Sequence, residues 1–304
     1  MPATWIRSPF LAICALCTMC VMHPATTSAQ EASSLAGQVA FITGSTSGLG
    51  RVLAYQLSEL GAEIIVHGRN AERGQAVADS IEGMGGTARF YGGDLGSREE
   101  VRELAAAILR DYERLDLFIS NAGVGPGPNE RYTSKDGMEL RFQVNYLAGY
   151  QLTHLLLPLV EASAPAKIIM VASRTQRRID FANVMLERDF NGVQAYAQSK
   201  LAQIMFTFDF APQLEGTGVT MNAVHPAPVM DTEMMRIIGA TPRSTAEDGA
   251  RSVMNVVLSN EGWNGRYFHQ LEPGTARRQA YDPEALAQLR RLSVELTGVG
   301  GGRP

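Results

Sequence analysis

The sequence predicts a single-domain α/β protein built on a doubly wound parallel sheet with helices on both faces. Three observations carry that prediction. From residue 35 onward, short apolar runs alternate with segments of helical period. A glycine-rich turn follows the first of these runs and opens a helix. No stretch resembles an interdomain linker, and no internal repeat is present.

Taken in order, the apolar runs predict strands at Val39–Thr43, Glu63–Val66, Ala88–Tyr91, Leu115–Ser120, Lys167–Ala172 and Val219–Val224. The helical periods between them fall at residues 49–61, 71–84, 98–113, 137–163 and 195–215, and two more, near 245–259 and 283–297, close the chain. Strand, helix and strand repeated in this way signal parallel pairing through right-handed crossovers. The domain is expected over residues 30–298, with 299–304 as a disordered tail at the end of "GVGGGRP".

Composition narrows the function classes. At 304 residues, 45% hydrophobic and 19% charged, the chain is of ordinary globular type. A net charge of −4 offers no basic field for nucleic acid. The five histidines lack metal-ligand spacing, and all three cysteines, Cys14, Cys17 and Cys20, lie near the N-terminus. Neither a metal nor a thiol mechanism is expected.

Those cysteines belong to "FLAICALCTMCVM", Phe10 to Met22, which follows a leader bearing one charge, Arg7. Its 13 residues are short for a membrane span and suit the core of an export signal, with Thr27-Ser28-Ala29 as the small-residue cleavage site. Residues 1–29 are accordingly expected to be a signal peptide of a periplasmic or secreted protein. The alternative is a cytoplasmic protein whose start is misassigned, with Met22 as the candidate.

The chemistry-bearing motifs follow the sheet pattern. Thr43-Gly44-Ser45-Thr46-Ser47-Gly48-Leu49-Gly50 stands directly after the first strand. Glycines there let the backbone approach a pyrophosphate, and the helix N-terminus offers it free N–H groups and positive potential. An NAD site needs a carboxylate at the end of the second strand. Here the segment reads Ile65-Val66-His67-Gly68-Arg69-Asn70, with no acid and with Arg69 where a 2′-phosphate would lie. NADP(H) is therefore expected over NAD(H); Arg51, just past the glycines, either assists as a second cation or faces solvent. Asp94-Leu95 after the third strand is placed to accept from an adenine amine, and Asn121-Ala122-Gly123 after the fourth to line the nicotinamide side.

In "QAYAQSKLAQ", Tyr196 and Lys200 are one helical turn apart and project from the same face. A neighbouring cation gives a tyrosine a reason to lose its proton.

Together, Thr43–Gly50, Asp94, Asn121-Ala122-Gly123, Asn145, Ser173, Tyr196 and Lys200 resemble the short-chain dehydrogenase/reductases, in their order and over nearly the whole chain from about residue 35 to 298. "THLLLPLV", the long insert between Ser173 and Tyr196, "SKLAQIMFTFDFAPQLEGTGV", "AVHPAPV" and "LAQLRRLSVELTG" resemble the retinol dehydrogenase-like subgroup. The resemblance implies a Rossmann-type fold and catalytic roles for Asn145, Ser173, Tyr196 and Lys200. Tyr196 would be the acid and base. Its pKa must fall from about 10 to near neutrality, about 4 kcal/mol of differential stabilisation, with help from Lys200 and the charge of the oxidised nicotinamide. Ser173 would hydrogen-bond the substrate oxygen, Lys200 would also bind ribose hydroxyls, and Asn145 would hold a relay water.

The implied cofactor contacts are Gly44, Ser45, Ser47, Gly48, Leu49, Gly50, Arg69, Asp94, Leu95, Asn121, Ala122, Gly123, Tyr196, Lys200, Pro226, Val229 and Thr232. The chain departs from the family pattern at Pro226-Ala227-Pro228, where Pro-Gly is usual, and at Ala148, where a glycine is usual. Export would also remove an NADP(H) enzyme from its ready cofactor supply.

The substrate expected is a small, apolar alcohol or its ketone or aldehyde, under a lid containing Met230, Met234, Met235, Ile237 and Ile238. No convergent set of cations is visible for an acidic substrate group. Arg174, Arg177 and Arg178 read as a solvated run, although one of them could reach such a group. Family members often self-associate through their long helices. The rival function is a non-catalytic dinucleotide sensor or scaffold, which needs only the glycine turn. An epimerase or dehydratase of the extended branch would want a different glycine spacing and a longer C-terminal domain.

Overall fold

The computed structural model describes residues 1–5 and 35–300. The signal-peptide expectation for residues 1–29 therefore falls, from residue 6 on, outside the described residues. Residues 35–300 belong to one compact unit.

Eight strands form one sheet: β1 (Val39–Ile42), β2 (Glu63–Gly68), β3 (Ala88–Gly92), β4 (Leu117–Ser120), β5 (Ala166–Val171), β6 (Val219–His225), β7 (Arg266–His269) and β8 (Glu272–Pro273). Their order is β3-β2-β1-β4-β5-β6-β7-β8, parallel up to β7, with β8 antiparallel at the edge. The fold class read from sequence holds. Strands β7 and β8 were not anticipated, because four residues and a two-residue hairpin arm carry too little pattern to be read.

The central strands are apolar on both faces because both faces are covered. Phe41, Ile65, Phe118 and Ile168 point into one core layer with Leu152, Ile204 and Leu289. The alternate residues Ile42, Ile64, Ile119 and Ile169 point into the other with Leu53, Val77 and Val253. The first layer is closed by α3 (Arg98–Asp111), α5 (Ala148–Ala162), α6 (Gly192–Phe210) and α9 (Pro283–Thr297), the second by α1 (Gly48–Glu59), α2 (Ala71–Gly83) and α8 (Ala246–Val257).

The helix expected over 137–163 is not continuous. A single turn, α4 (Leu140–Phe142), leads into a π turn at Gln143–Leu147, in which the Ala148 N–H reaches back five residues to the Gln143 carbonyl, before α5 begins. A short helix, α7 (Glu233–Ile237), follows β6. Residues 299 and 300 of the expected tail are described. Val299 packs on the first core layer, and its carbonyl accepts from the Tyr150 hydroxyl at 3.2 Å. Only residues 301–304 of the expected tail lie outside the described residues.

Candidate active site

The strand order reverses between β1 and β4, and a crevice at the C-terminal ends of the strands is expected there. The glycine turn comes from one side of it, between β1 and α1. Gly44 and Gly48 have φ of +67° and +52°, a region costly for residues with a Cβ. A Cβ on Gly48 would stand 3.2 Å from Thr232 Cγ2, which places the segment after β6 directly over the turn. Gly50 has a different role: a Cβ there would meet Asn121 Nδ2 and the Gly44 carbonyl, both at 2.5 Å. It lets α1 pack against the strand ends.

Asn121, leaving β4, braces the turn. Its side-chain amide donates to the Thr43 carbonyl at 2.8 Å, while the N–H groups of Asn121 and Ala122 donate to Thr43 Oγ1. The Asn121 side chain is thus committed to the turn rather than presented to a ligand. Ser45 is similarly internal. It is buried, donates to the Ile42 carbonyl at 2.9 Å and accepts from the His67 N–H at 2.9 Å. His67 was quoted from the sequence without a role, and its Nδ1 accepts from the Gly44 N–H at 3.2 Å. Burial lowers the His67 pKa to about 4, so the imidazole stays neutral and keeps that acceptor.

At the end of β2, Arg69 is exposed, and its guanidinium makes no hydrogen bond or ion pair among the described residues. The same holds for Arg51. Thr46 packs against Gly68, so the free Arg69 cation and a hydroxyl border this corner, and no carboxylate ends β2. That donor set fits a phosphate better than ribose hydroxyls. Asp94 accepts from the Gly96 N–H at 2.9 Å and lies 3.6 Å from Lys135. The Leu95 side chain belongs to the core, and its carbonyl accepts from Gln143.

Asn145 occupies the π turn, a feature frequent at functional sites. Its Oδ1 accepts from the Val124 N–H at 2.6 Å, and its Nδ2 donates to the Val124 carbonyl at 3.0 Å and to Ser199 Oγ at 2.9 Å. The side chain therefore clamps the segment after Gly123 to α6. A Cβ on Gly123 would lie 3.3 Å from Asn145 Oδ1 and 3.6 Å from Lys200 Nζ, so these three residues adjoin.

Ser173 lies just past β5, and its Oγ accepts from the Thr175 N–H at 3.0 Å. Tyr196 and Lys200 sit on α6, where Asn191 caps the N-terminus through the Gln194 N–H. Lys200 is buried; its Nζ donates to the Val171 carbonyl at 2.8 Å and to Gln203 Oε1 at 2.9 Å, and it stands 5.9 Å from the Tyr196 ring centre. Burial brings the Lys200 pKa down to about 7. Burial also raises the Tyr196 pKa, and a hydrogen bond from Ser173 partly offsets the rise. The expected lowering rests on Lys200 together with the charge of the oxidised nicotinamide; in the chain alone burial dominates the Tyr196 shift.

Above the turn, Val229 has φ of +40°, rare for a β-branched residue, and its carbonyl accepts from the Arg243 N–H at 2.9 Å. Met234 packs over Gly125, and Met230 over Gly249, next to Pro226. Glu233 pairs with Arg73 of α2 at 3.2 Å, which ties α7 across the crevice.

The family model for short chain dehydrogenase matches residues 38–243. The chain is a short-chain dehydrogenase/reductase. Bovine dehydrogenase/reductase SDR family member 13 is 34% identical, covering 89% of this chain and 76% of the relative. Human retinol dehydrogenase 13 is also 34% identical, over 88% and 86% of the two chains. Among solved structures, an uncharacterised protein from Mycobacterium paratuberculosis matches with a TM-score of 0.75 at 27% identity, covering 90% and 98%. A short chain dehydrogenase from Burkholderia cenocepacia in complex with NADP matches with a TM-score of 0.63 at 25% identity, covering 77% and 96%. This short-chain dehydrogenase/reductase is accordingly an oxidoreductase of a family that uses NAD(P)H.

Residues that sequence reasoning missed at this short-chain dehydrogenase/reductase site share one trait. Val124, His67 and Ser199 act through backbone groups or from within the core, and no spacing in the sequence announces such a role. His67 alone left a signal, as a polar residue closing an apolar strand.

Proposed function

We propose that the chain is an NADP(H)-dependent oxidoreductase interconverting an alcohol and its carbonyl, with Tyr196 as the proton donor and acceptor. The observation that carries this reading is the convergence of Ser173, Tyr196, Lys200 and Asn145 beside Gly123, at the strand-end crevice that the glycine turn borders. The nicotinamide, when bound, gives or takes the hydride. Tyr196 supplies a proton to the alkoxide oxygen as the carbonyl is reduced, or takes it from the alcohol in reverse. Ser173 holds that oxygen in place. Lys200 is placed to hold ribose hydroxyls beside the tyrosine, and Asn145, through Ser199 and Val124, keeps α6 and the Gly123 segment in register. Burial raises the Tyr196 pKa in the chain alone, so the phenol is the form that meets an incoming carbonyl, and the same group takes the proton back in the reverse direction.

Gly44, Ser47, Gly48 and Leu49 would meet the pyrophosphate at the start of α1. Arg69, supported by Arg51 and Thr46, would meet the 2′-phosphate. Thr232 and the strained Val229 would close over the cofactor from the segment after β6.

The test is a titration of the protein with NADPH and separately NADH, read by nicotinamide fluorescence and repeated with Arg69→Ala. NADPH is expected to bind more tightly, and the substitution should remove most of that advantage. Equal affinities in the unsubstituted protein would overturn the assignment of Arg69. The companion Tyr196→Phe variant should bind NADPH normally and turn over no carbonyl substrate, whereas retained turnover would remove Tyr196 from the mechanism.

A further inference from the structure

On the far side of Ser173 from the glycine turn, a cavity of about 330 Å³ is lined by Arg174, Gln176, Tyr267, His269, Thr275 and Arg277. Its wall is built on the Ser173 carbonyl, which accepts from the Tyr267 hydroxyl at 3.2 Å and from Gln176 Nε2 at 3.0 Å. Gln176 in turn holds Arg277: its own carbonyl accepts from Arg277 Nε at 2.8 Å, and its Oε1 accepts from the Arg277 N–H at 2.8 Å. The loop after β5 and, about a hundred residues later, strand β7 with residues 275–277 are thus fastened around one opening next to the catalytic serine.

The charges at this opening are of one sign. The Arg174 guanidinium makes no hydrogen bond or ion pair among the described residues, and Arg277 uses only its Nε. No carboxylate lines the cavity. Glu272, opposite His269 in the β7–β8 hairpin, makes no ion pair with either arginine or with His269. Beneath His269 stacks His225, with ring centres 5.1 Å apart, and its buried Nε2 has no hydrogen-bond partner. Burial chiefly, with smaller contributions from the neighbouring His269, Arg174 and Lys200, holds the His225 pKa down to about 4. Such a concentration in a chain of net charge −4 is a local construction. Arg177 and Arg178, by contrast, do not line the cavity, so the run past Ser173 divides by function.

We propose that this cavity is an anion subsite: the substrate carries a carboxylate or phosphate that Arg174 and Arg277 bind, while its carbonyl or hydroxyl carbon reaches Ser173 and Tyr196. This rests on the alcohol–carbonyl reading above and refines its substrate from apolar to amphiphilic. The apolar part faces the Met234 side and the acidic end faces β7. Arginine's planar fork matches either oxyanion, with charge-assisted hydrogen bonds stronger than neutral ones.

The experiment uses the Tyr196→Phe protein loaded with NADPH, so that binding is measured without turnover. Calorimetry compares a series of straight-chain (ω−1)-keto acids from levulinate upward, each with its methyl ester, and dihydroxyacetone phosphate with dihydroxyacetone. At least one anion is expected to bind about tenfold or more tightly than its neutral counterpart. The Arg174→Gln/Arg277→Gln variant should lose that preference while keeping its affinity for NADPH. Which pair shows the larger preference identifies carboxylate or phosphate. If no anion binds better than its neutral partner, or if the preference survives the double substitution, the subsite is overturned. NADPH fluorescence in the same samples reports separately on the oxidoreductase reading, so the two can fail independently.

Discussion

The chain contains three lysines, and each is committed to an internal partner. Lys135 bonds Glu100 at 2.5 Å, Lys167 donates at 2.6 Å to the carbonyls of Val257 and Ser259 at the end of α8, and Lys200 serves the candidate active site. Lys200 has a pH signature. Its pKa is about 7 in the folded protein and about 10.4 in an unfolded chain, so between those values the unfolded state binds more protons. Stability of the protein without cofactor should therefore rise from pH 7 towards pH 10, and Lys200→Met should flatten the rise in thermal melts. His67 acts in the same direction at lower pH. Its folded pKa is about 4 against about 6.5 unfolded, so its contribution is complete above pH 6.5 and is lost as the pH falls towards 4. Protonation also removes the acceptor for the Gly44 N–H. NADPH affinity should fall across that window, and His67→Asn, which keeps an acceptor that does not titrate, should remove His67's share of the fall. At this scale the chemistry carried by side-chain type was legible: Arg69 and the Tyr196–Lys200 pair stand out by type and spacing. The bracing roles of His67 and Asn121 were not, because they depend on which backbone groups the turn brings near.

Between α4 and α5, the π turn decides where Asn145 points. The sequence pattern over 137–163 reads as one helix because the apolar period runs straight through Gln143–Leu147, and one extra residue per turn is invisible to periodicity. The preceding segment has its own fastening. Arg141, buried with Glu139 at 3.1 Å, donates to the carbonyls of Gly125, Pro126 and Pro128. Arg141→Ala would leave Glu139 without its cation and those carbonyls without donors, at about 3–5 kcal/mol of stability by chemical denaturation. Gly50→Ala tests the other border of the crevice. Its Cβ meets Asn121 and the Gly44 carbonyl, so α1 must shift from the strand ends, at about 1–3 kcal/mol. NADPH affinity should fall with it. Unchanged stability and affinity would show that the turn tolerates the added methyl group.

Across the whole molecule, the alternation of strands and helices was enough to read the doubly wound sheet, because strands buried on both faces leave unbroken apolar runs. The margins were harder to read. Strand β7, too short to notice, supplies two residues of the cavity wall, and Val299, expected to be disordered, is packed. If residues 1–29 direct export, protein recovered outside the cytoplasm should begin at Gln30 by mass spectrometry. At the other end, α9 is held by groups from the first half of the chain. Arg98 donates to the Leu296 carbonyl at 2.5 Å, Arg102 to the Thr297 carbonyl at 2.9 Å, and the Tyr146 hydroxyl bonds Ser293 at 2.6 Å. Those contacts span 198, 195 and 147 residues. A ribosome must therefore release almost the entire polypeptide before this face can close, and until then the apolar surfaces of α5 and α6 are open to chaperones and proteases. A message cut short anywhere before Leu296 yields a substrate for degradation rather than a smaller enzyme.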